Sequence, residues 1–213
     1  MTRTRIKICG MTNHHDALLA AELGADAIGF IFAEGSKRRV SPSVVREVVS
    51  EIPPFVSSVG VFVNVTLEEL HRIMDESRLD VVQLHGEESP AYVREVRYPV
   101  IKTFRPRPGF VLSDLADYNV HAFLFDTYSD SRQGGTGRAF DWNLVRGADT
   151  YGRIILSGGI SPANAAEAIQ TLRPYALDVN SSVEVSPGKK DRRRLVELFD
   201  AIREADSKKG PLC

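Results

Sequence analysis

The sequence predicts a single-domain α/β protein folded as a closed (β/α)8 barrel, the TIM-barrel architecture. Three observations carry that expectation. Eight short β-branched runs alternate with helix-like segments at a spacing of roughly two dozen residues, a pattern that calls for parallel strands joined by crossover helices. Capping residues mark the helix starts. No long polar linker or low-complexity stretch interrupts the series, and 213 residues suit a barrel taken as one unit. An open doubly wound sheet is the competing arrangement, but eight regular units favour closure.

The predicted strands are residues 5–9, 26–32, 55–63, 80–84, 100–104, 122–126, 153–156 and 176–179. The first alternates, with Arg5, Lys7 and Cys9 on one face and Ile6 and Ile8 on the other. The apolar pair suits the helix-facing side, so Lys7 and Cys9 are expected inside the barrel, and Gly10 frees the turn that follows. His14 and His15 stand where the first helix begins and read as solvated. Ser41-Pro42 opens the second helix: the hydroxyl caps it, and proline takes the first helical position, where a missing N–H costs nothing. Thr66 with Glu69 reads as a capping box for the third, and Ser89-Pro90 repeats the Ser-Pro start for the fourth. The junction after the sixth strand, residues 127–140, is the longest irregular stretch. Gly134-Gly135-Thr136-Gly137 inside it reads as a flap over a site or as a flexible connection. Ser161-Pro162 marks the helix after the seventh strand, and Asp191 caps the last one beyond the Pro187-Gly188 turn. The barrel is expected over residues 1–206, with 207–213 a frayed tail.

Composition narrows the function classes. Hydrophobic residues make up 43% and charged residues 26%, a globular balance. Lys and Arg total 27 against 28 Asp and Glu, a net charge of -1, so no basic field is available for nucleic acid or an anionic membrane. No apolar stretch reaches the length of a membrane span, and no apolar signal segment opens the chain. The two cysteines, Cys9 and Cys213, do not suggest a disulfide framework, and a reducing, cytoplasmic setting is expected.

In a barrel of this class the chemistry stands at the C-terminal strand ends. Cys9 lies there beside Lys7; a nearby cation favours a reactive thiolate, while a small buried hydrophobe is the plainer alternative. Asp126 ends the sixth strand after Phe123-Leu124-Phe125. An apolar mouth would raise its pKa and suit a general acid; capping of loop N–H groups or a lysine pair is the alternative. His85 shares a strand face with Gln83 and could donate to a ligand, carry a proton, or serve as a structural histidine. Ser36-Lys37-Arg38-Arg39 is a basic loop that could meet a carboxylate or phosphate, or be solvated. Lys189-Lys190 and Arg192-Arg193-Arg194 read as a solvated face. Ser157-Gly158-Gly159 before a helix, with Asn180-Ser181-Ser182 after the eighth strand, forms the loop pair that commonly holds phosphate in this fold. No metal-ligand spacing is present.

Taken in order, the motifs resemble the phosphoribosylanthranilate isomerase family. The blocks are Lys7-Ile8-Cys9-Gly10-Met11-Thr12, Gly29-Phe30-Ile31-Phe32 with Ser36-Lys37-Arg38, Val59-Gly60-Val61-Phe62, Val82-Gln83-Leu84-His85-Gly86 and Phe125-Asp126-Thr127. Gly134-Gly135-Thr136-Gly137 with Phe140-Asp141-Trp142, Leu156-Ser157-Gly158-Gly159, Asp178-Val179-Asn180-Ser181-Ser182-Val183-Glu184 and Pro187-Gly188-Lys189-Lys190-Asp191 complete the series. The resemblance implies an Amadori rearrangement of a phosphorylated aminosugar in tryptophan biosynthesis. It assigns Asp126 as general acid and Cys9 as general base, Arg38 to the anthranilate carboxylate, and Gly158, Gly159, Ser181 and Ser182 to the 5-phosphate. It places His85 and Asp178 along the site, requires no metal or organic cofactor, and allows a monomer or a homodimer. Ser182 stands where many members have glycine. The acid–base roles lead to the expectation of a lowered Cys9 pKa and a raised Asp126 pKa. A histidine-pathway isomerase performs the same rearrangement but normally uses paired aspartates and a second phosphate loop, neither of which is found here. A barrel that binds without turnover would lack Cys9 or Asp126.

Overall fold

The computed structural model describes residues 3–127 and 141–208. Eight parallel strands close in chain order: β1 (Arg5–Ile8), β2 (Ala27–Ile31), β3 (Ser57–Phe62), β4 (Val81–Leu84), β5 (Val100–Phe104), β6 (Ala122–Phe125), β7 (Ile154–Leu156) and β8 (Ala176–Val179). Closure is made by β1 pairing with β8, with Lys7 opposite Asp178. All eight expected strands form.

Strand alternation sorts the side chains into two cores. Val59, Ile101, Ala122, Leu124, Ile155 and Ala176 fill the barrel interior. Ile8, Ile28, Phe30, Phe125, Leu156 and Leu177 face outward with the helical layer, where Leu195, Leu198 and Phe199 are also buried. Each large side chain removed from water contributes about 1.5–3 kcal/mol. The interior floor is therefore apolar, and polar inward residues collect at the C-terminal end.

The helices are α1 (His14–Leu23), α2 (Pro42–Val49), α3 (Leu67–Ser77), α4 (Pro90–Arg94), α5 (Ala165–Leu172) and α6 (Arg192–Ser207). Ser41, Thr66, Ser89 and Asp191 cap their helices as expected, each side-chain oxygen accepting a backbone N–H of the first turn. Ser161-Pro162 does not begin a helix. The two residues open a turn closed by Asn164 N–H donating to Ser161 O (3.2 Å), and the helix starts at Ala165. Serine and proline suit the first two positions of such a turn as well as a helix start. Among the described residues the connections after β5 and β6 contain 3-10 turns, Leu112–Asp117, Trp142–Val145 and Ala148–Thr150, in place of α-helices. Pro106, Pro108 and Gly109 occupy the first of these connections, removing two donors and adding a φ of +91°.

Lys102 of β5 points outward into a buried pair. Its Nζ lies 2.8 Å from Glu88 Oε2 and 2.7 Å from Gly86 O. The Glu88 carboxylate also accepts the N–H groups of Asn64 (2.9 Å) and Gly86 (3.0 Å). One buried anion thus serves the loops after β3 and β4 together with β5, and it is fully hydrogen-bonded, the condition under which a buried pair is tolerated.

Candidate active site

Cys9 directly follows β1, and its N–H continues the ladder to Val179 O (2.8 Å). Its side chain is buried inside the barrel above Gly29, as the alternation predicts. A Cβ at Gly29 would stand 2.7 Å from the sulfur and 3.1 Å from Lys7 Nζ, so glycine is what lets both groups occupy that space. Lys7 Nζ donates to Asp178 Oδ1 (2.7 Å), and both side chains are buried. Burial opposes the charge on Lys7, but Asp178 and the adjacent thiol hold its pKa above the ordinary value. The expected lowering at Cys9 is not found. Burial pushes the thiol up, and the Lys7 cation, partly spent on Asp178, only reduces that rise.

Asp126 directly follows β6 and bonds Phe104 O through its N–H (3.0 Å). Its Oδ1 accepts the Thr127 N–H (2.7 Å), and its Oδ2 faces His85 Nε2 (3.2 Å). Here too the expectation is corrected. Burial works to raise the carboxyl pKa, but the His85 contact, the Thr127 N–H and the Arg105 charge together hold it below its usual value. The capping role, one of the two sequence readings of Asp126, is present. His85 lies between Asp126 and Gln83, whose Nε2 is 3.1 Å from Nδ1, and Arg105 Nη2 donates to His85 O (2.9 Å).

Two strands separate Cys9 on β1 from Asp126 on β6, and the ends of those strands, β8 and β7, stand between them. Ser157 Oγ donates to Asp178 O (3.2 Å). Gly158 and Gly159 have φ of +75° and +77°. A Cβ at Gly158 would lie 2.3 Å from Thr127 N and 2.8 Å from Asp126 Oδ1, so the glycine loop runs against the carboxyl group. Ser182 Oγ donates to Ile160 O (2.5 Å), tying the loop after β8 to the loop after β7. Asn164 Nδ2 braces Gly159 O (3.0 Å). Ser181 and Ser182 begin a 3-10 turn, Ser181–Val183.

Arg38 is not a loose surface cation. Its Nε and Nη2 bond both oxygens of buried Glu184 (2.9, 3.1 and 2.6 Å). Its Cδ lies over Gly10, where a Cβ would approach it to 2.7 Å, so the side chain passes beside Cys9. Lys190 corrects the solvated reading of its neighbourhood: it is buried, and its Nζ bonds Cys9 O (2.6 Å), Asn180 Oδ1 (3.1 Å) and Glu184 Oε1 (2.9 Å). The hairpin of Glu184–Ser186 and Lys189–Lys190, turned at Pro187-Gly188, folds it inward. Burial lowers the Lys190 pKa, opposed by Glu184; burial would raise Glu184, but Arg38 and Lys190 hold it low. Lys189, Arg192, Arg193 and Arg194 are exposed, as expected. Glu184 and Lys190 were not among the sequence candidates for the site, although both lie in motif blocks that carry the family resemblance. Gly134-Gly135-Thr136-Gly137 and Cys213 lie outside the described residues. Among the described residues no group of three metal-ligating side chains is assembled, and no helix is long and apolar enough to cross a membrane.

A closed parallel barrel whose C-terminal mouth gathers a thiol, a carboxyl group, an imidazole and a double-glycine loop is the architecture of a (β/α)8-barrel enzyme. The family model of N-(5'-phosphoribosyl)anthranilate (PRA) isomerase matches residues 6–201, so the chain belongs to that family, the isomerases of tryptophan biosynthesis. It is similar to N-(5'-phosphoribosyl)anthranilate isomerase of Citrifermentans bemidjiense, with 50% identity over 92% of this chain and 95% of that one. The crystal structure of phosphoribosyl anthranilate isomerase from Thermus thermophilus superposes with a TM-score of 0.87 and 43% identity, covering 94% and 99% of the two chains. A phosphoribosyl anthranilate isomerase in complex with reduced 1-(o-carboxyphenylamino)-1-deoxyribulose 5-phosphate gives 0.85 and 38% over the same shares.

Proposed function

We propose that the chain converts N-(5-phospho-β-D-ribosyl)anthranilate to 1-(2-carboxyphenylamino)-1-deoxy-D-ribulose 5-phosphate, with Asp126 as general acid and Cys9 as general base. The observation that carries this reading is the shared mouth: Cys9 is buried inside the barrel at one strand end, and Asp126 stands three strands away beside the Gly158 loop. The protonated Asp126 gives its proton to the furanose ring oxygen as the C1–O bond breaks and the nitrogen lone pair forms the iminium. Cys9 thiolate removes the C2 proton, and its electrons close the C1–C2 double bond of the enolamine. Ketonisation adds a proton at C1 and releases one from the C2 hydroxyl. A proton then passes from Cys9 to Asp126 through solvent, and the cycle is complete.

The resting directions fit this scheme in one respect. A neutral thiol with an ionised Asp126 carries the same number of protons as the working thiolate and acid, so the two forms differ only by a proton moved between them. The N–H groups of Gly158, Gly159, Ser181 and Ser182 take the 5-phosphate; Ser182 contributes through its backbone, since its hydroxyl is engaged with Ile160. Arg38 meets the anthranilate carboxylate through the guanidinium edge that Glu184 leaves open. Asp178 holds Lys7 next to the thiol.

The test follows loss of the fluorescent anthranilate substrate by purified protein without added metal. Cys9→Ser and Asp126→Asn are each expected to lose about 10²–10⁴-fold in turnover. Unchanged turnover in both variants would end this reading.

A further inference from the structure

Asn164 stands at the N-terminal boundary of α5, where an asparagine side chain ordinarily accepts an N–H of the first helical turn; here it makes no such bond. It reaches back into the loop after β7 instead. Its Oδ1 accepts the Ser161 N–H (2.8 Å) and lies 3.3 Å from the Ser161 hydroxyl, and its Nδ2 donates to Gly159 O (3.0 Å). A backbone N–H can only donate and a carbonyl can only accept. One orientation of the Asn164 amide therefore satisfies both partners, and the turned one satisfies neither.

The consequence falls on Ile160. Its peptide bond to Gly159 is trans, which sets its N–H opposite Gly159 O, so holding that carbonyl against Asn164 turns the Ile160 N–H away from Asn164. The far side of the residue is anchored too: Ile160 O accepts the Ser182 hydroxyl (2.5 Å), and the Ile160 side chain is buried in the core. Among the described residues the N–H groups of Gly158, Gly159 and Ile160 have no hydrogen-bond partner, whereas those of Ser157 and Ser161 on either side are taken.

We propose that Asn164 is a positioning residue that aims the Ile160 N–H at the 5-phosphate, beside the N–H groups of Gly158 and Gly159. The proposal rests on the reading of the double-glycine loop as the phosphate site and adds a donor to it. Successive unpartnered N–H groups in a turn make a concave set suited to an anion. Such a set fails if one peptide plane turns over, because the anion then meets a carbonyl oxygen. The plane between Gly159 and Ile160 is the one at risk, since a glycine backbone has the fewest barriers to that rotation. Asn164 holds this plane by its oxygen, from the side away from the phosphate, and brings no charge of its own.

The test uses inorganic phosphate as the probe. In the unaltered protein, labelled with 15N, the amide signals of Gly158, Gly159 and Ile160 are expected to move together as phosphate is added. In Asn164→Ala, competitive inhibition by inorganic phosphate should weaken about tenfold, the scale of one hydrogen bond to a charged group. KM should rise by a similar factor with a smaller change in kcat. Inhibition by anthranilate, which carries no phosphate, should stay as it is. Movement of the two glycine signals without that of Ile160 would overturn the proposal, and this measurement does not depend on any variant folding. Phosphate and anthranilate inhibition weakened alike in Asn164→Ala would overturn it as well, since that is general loosening of the mouth, and so would both unchanged. A titration that moves none of the three signals would instead remove the phosphate reading on which the proposal rests.

Discussion

Glu184 grips Arg38 along one edge of the guanidinium, through Nε and Nη2, and among the described residues Nη1 has no hydrogen-bond partner. A guanidinium has a second bidentate edge, Nη1 with Nη2, and fixing the first edge aims the second. Glu184→Gln keeps the size but removes the charge that both Arg38 and Lys190 share. Charge-assisted hydrogen bonds contribute about 1.5–3 kcal/mol, and each ~1.4 kcal/mol is a factor of ten. The variant is therefore expected to raise KM for the anthranilate substrate at least about tenfold, with a smaller change in kcat, in steady-state assays. A lower melting temperature should accompany it, because Lys190 stays buried beside a neutral partner.

The pH profile of kcat/KM tests the proton inventory of the free protein. The working form needs Asp126 protonated and Cys9 ionised, whereas the resting directions are a lowered carboxyl and a raised thiol. Activity is then expected to hold between the two groups and to fall on both sides. The acidic limb lies below the ordinary carboxyl value of 3.8, where Cys9 stays neutral and Asp126 is already protonated. The alkaline limb lies above the ordinary thiol value of 9.0. Residual activity of Asp126→Asn should lose the alkaline fall and rise with pH until the thiol is ionised, and that of Cys9→Ser should lose the acidic fall and decline once the carboxyl group is ionised. Limbs that persist in those variants would assign them to other groups.

Gly158 and Gly109 form a matched pair for separating backbone strain from steric conflict. Both have positive φ, +75° and +91°. A Cβ at Gly109 meets open space, whereas one at Gly158 would sit 2.3 Å from Thr127 N. Strain in this region costs about 1–3 kcal/mol, with about 2–4 °C of melting temperature per kcal/mol for a chain of this size. Gly109→Ala should show that loss and keep its activity. Gly158→Ala should lose stability and, in addition, at least about tenfold in kcat/KM, measured by calorimetry and the fluorescence assay together.

Legibility in the sequence followed periodicity. All eight strands form where β-branched runs are, because a buried parallel strand is a local pattern. Lys7 and Cys9 lie inside because alternation along one strand dictates it. One failure is local and the others are non-local. Ser161-Pro162 satisfies two different turn chemistries, and Asn164, three residues on, decides between them. Lys190 reads as one more charge in a basic run until the hairpin carries it to Cys9 O and Glu184. The pKa directions of Cys9 and Asp126 depend on how much of Lys7 is taken by Asp178 and on a histidine arriving from another strand, neither of which a strand pattern contains.

The single carboxylate of Glu88 acts as a keystone for the rim. Its pKa is held down: burial alone would raise it, but Lys102 and the backbone donors of the two loops prevail. A depressed carboxyl group stabilises the fold above its ordinary value of 4.5, and that contribution drains away as acid brings the pH down through the lower, folded value. Mild acid should therefore unfasten the edge near Asn64 and Gly86 while the apolar floor stays closed. Amide exchange at those two positions should quicken with falling pH, once corrected for intrinsic rates, before the strands themselves open. Glu88→Gln should show that loosened rim already at neutral pH.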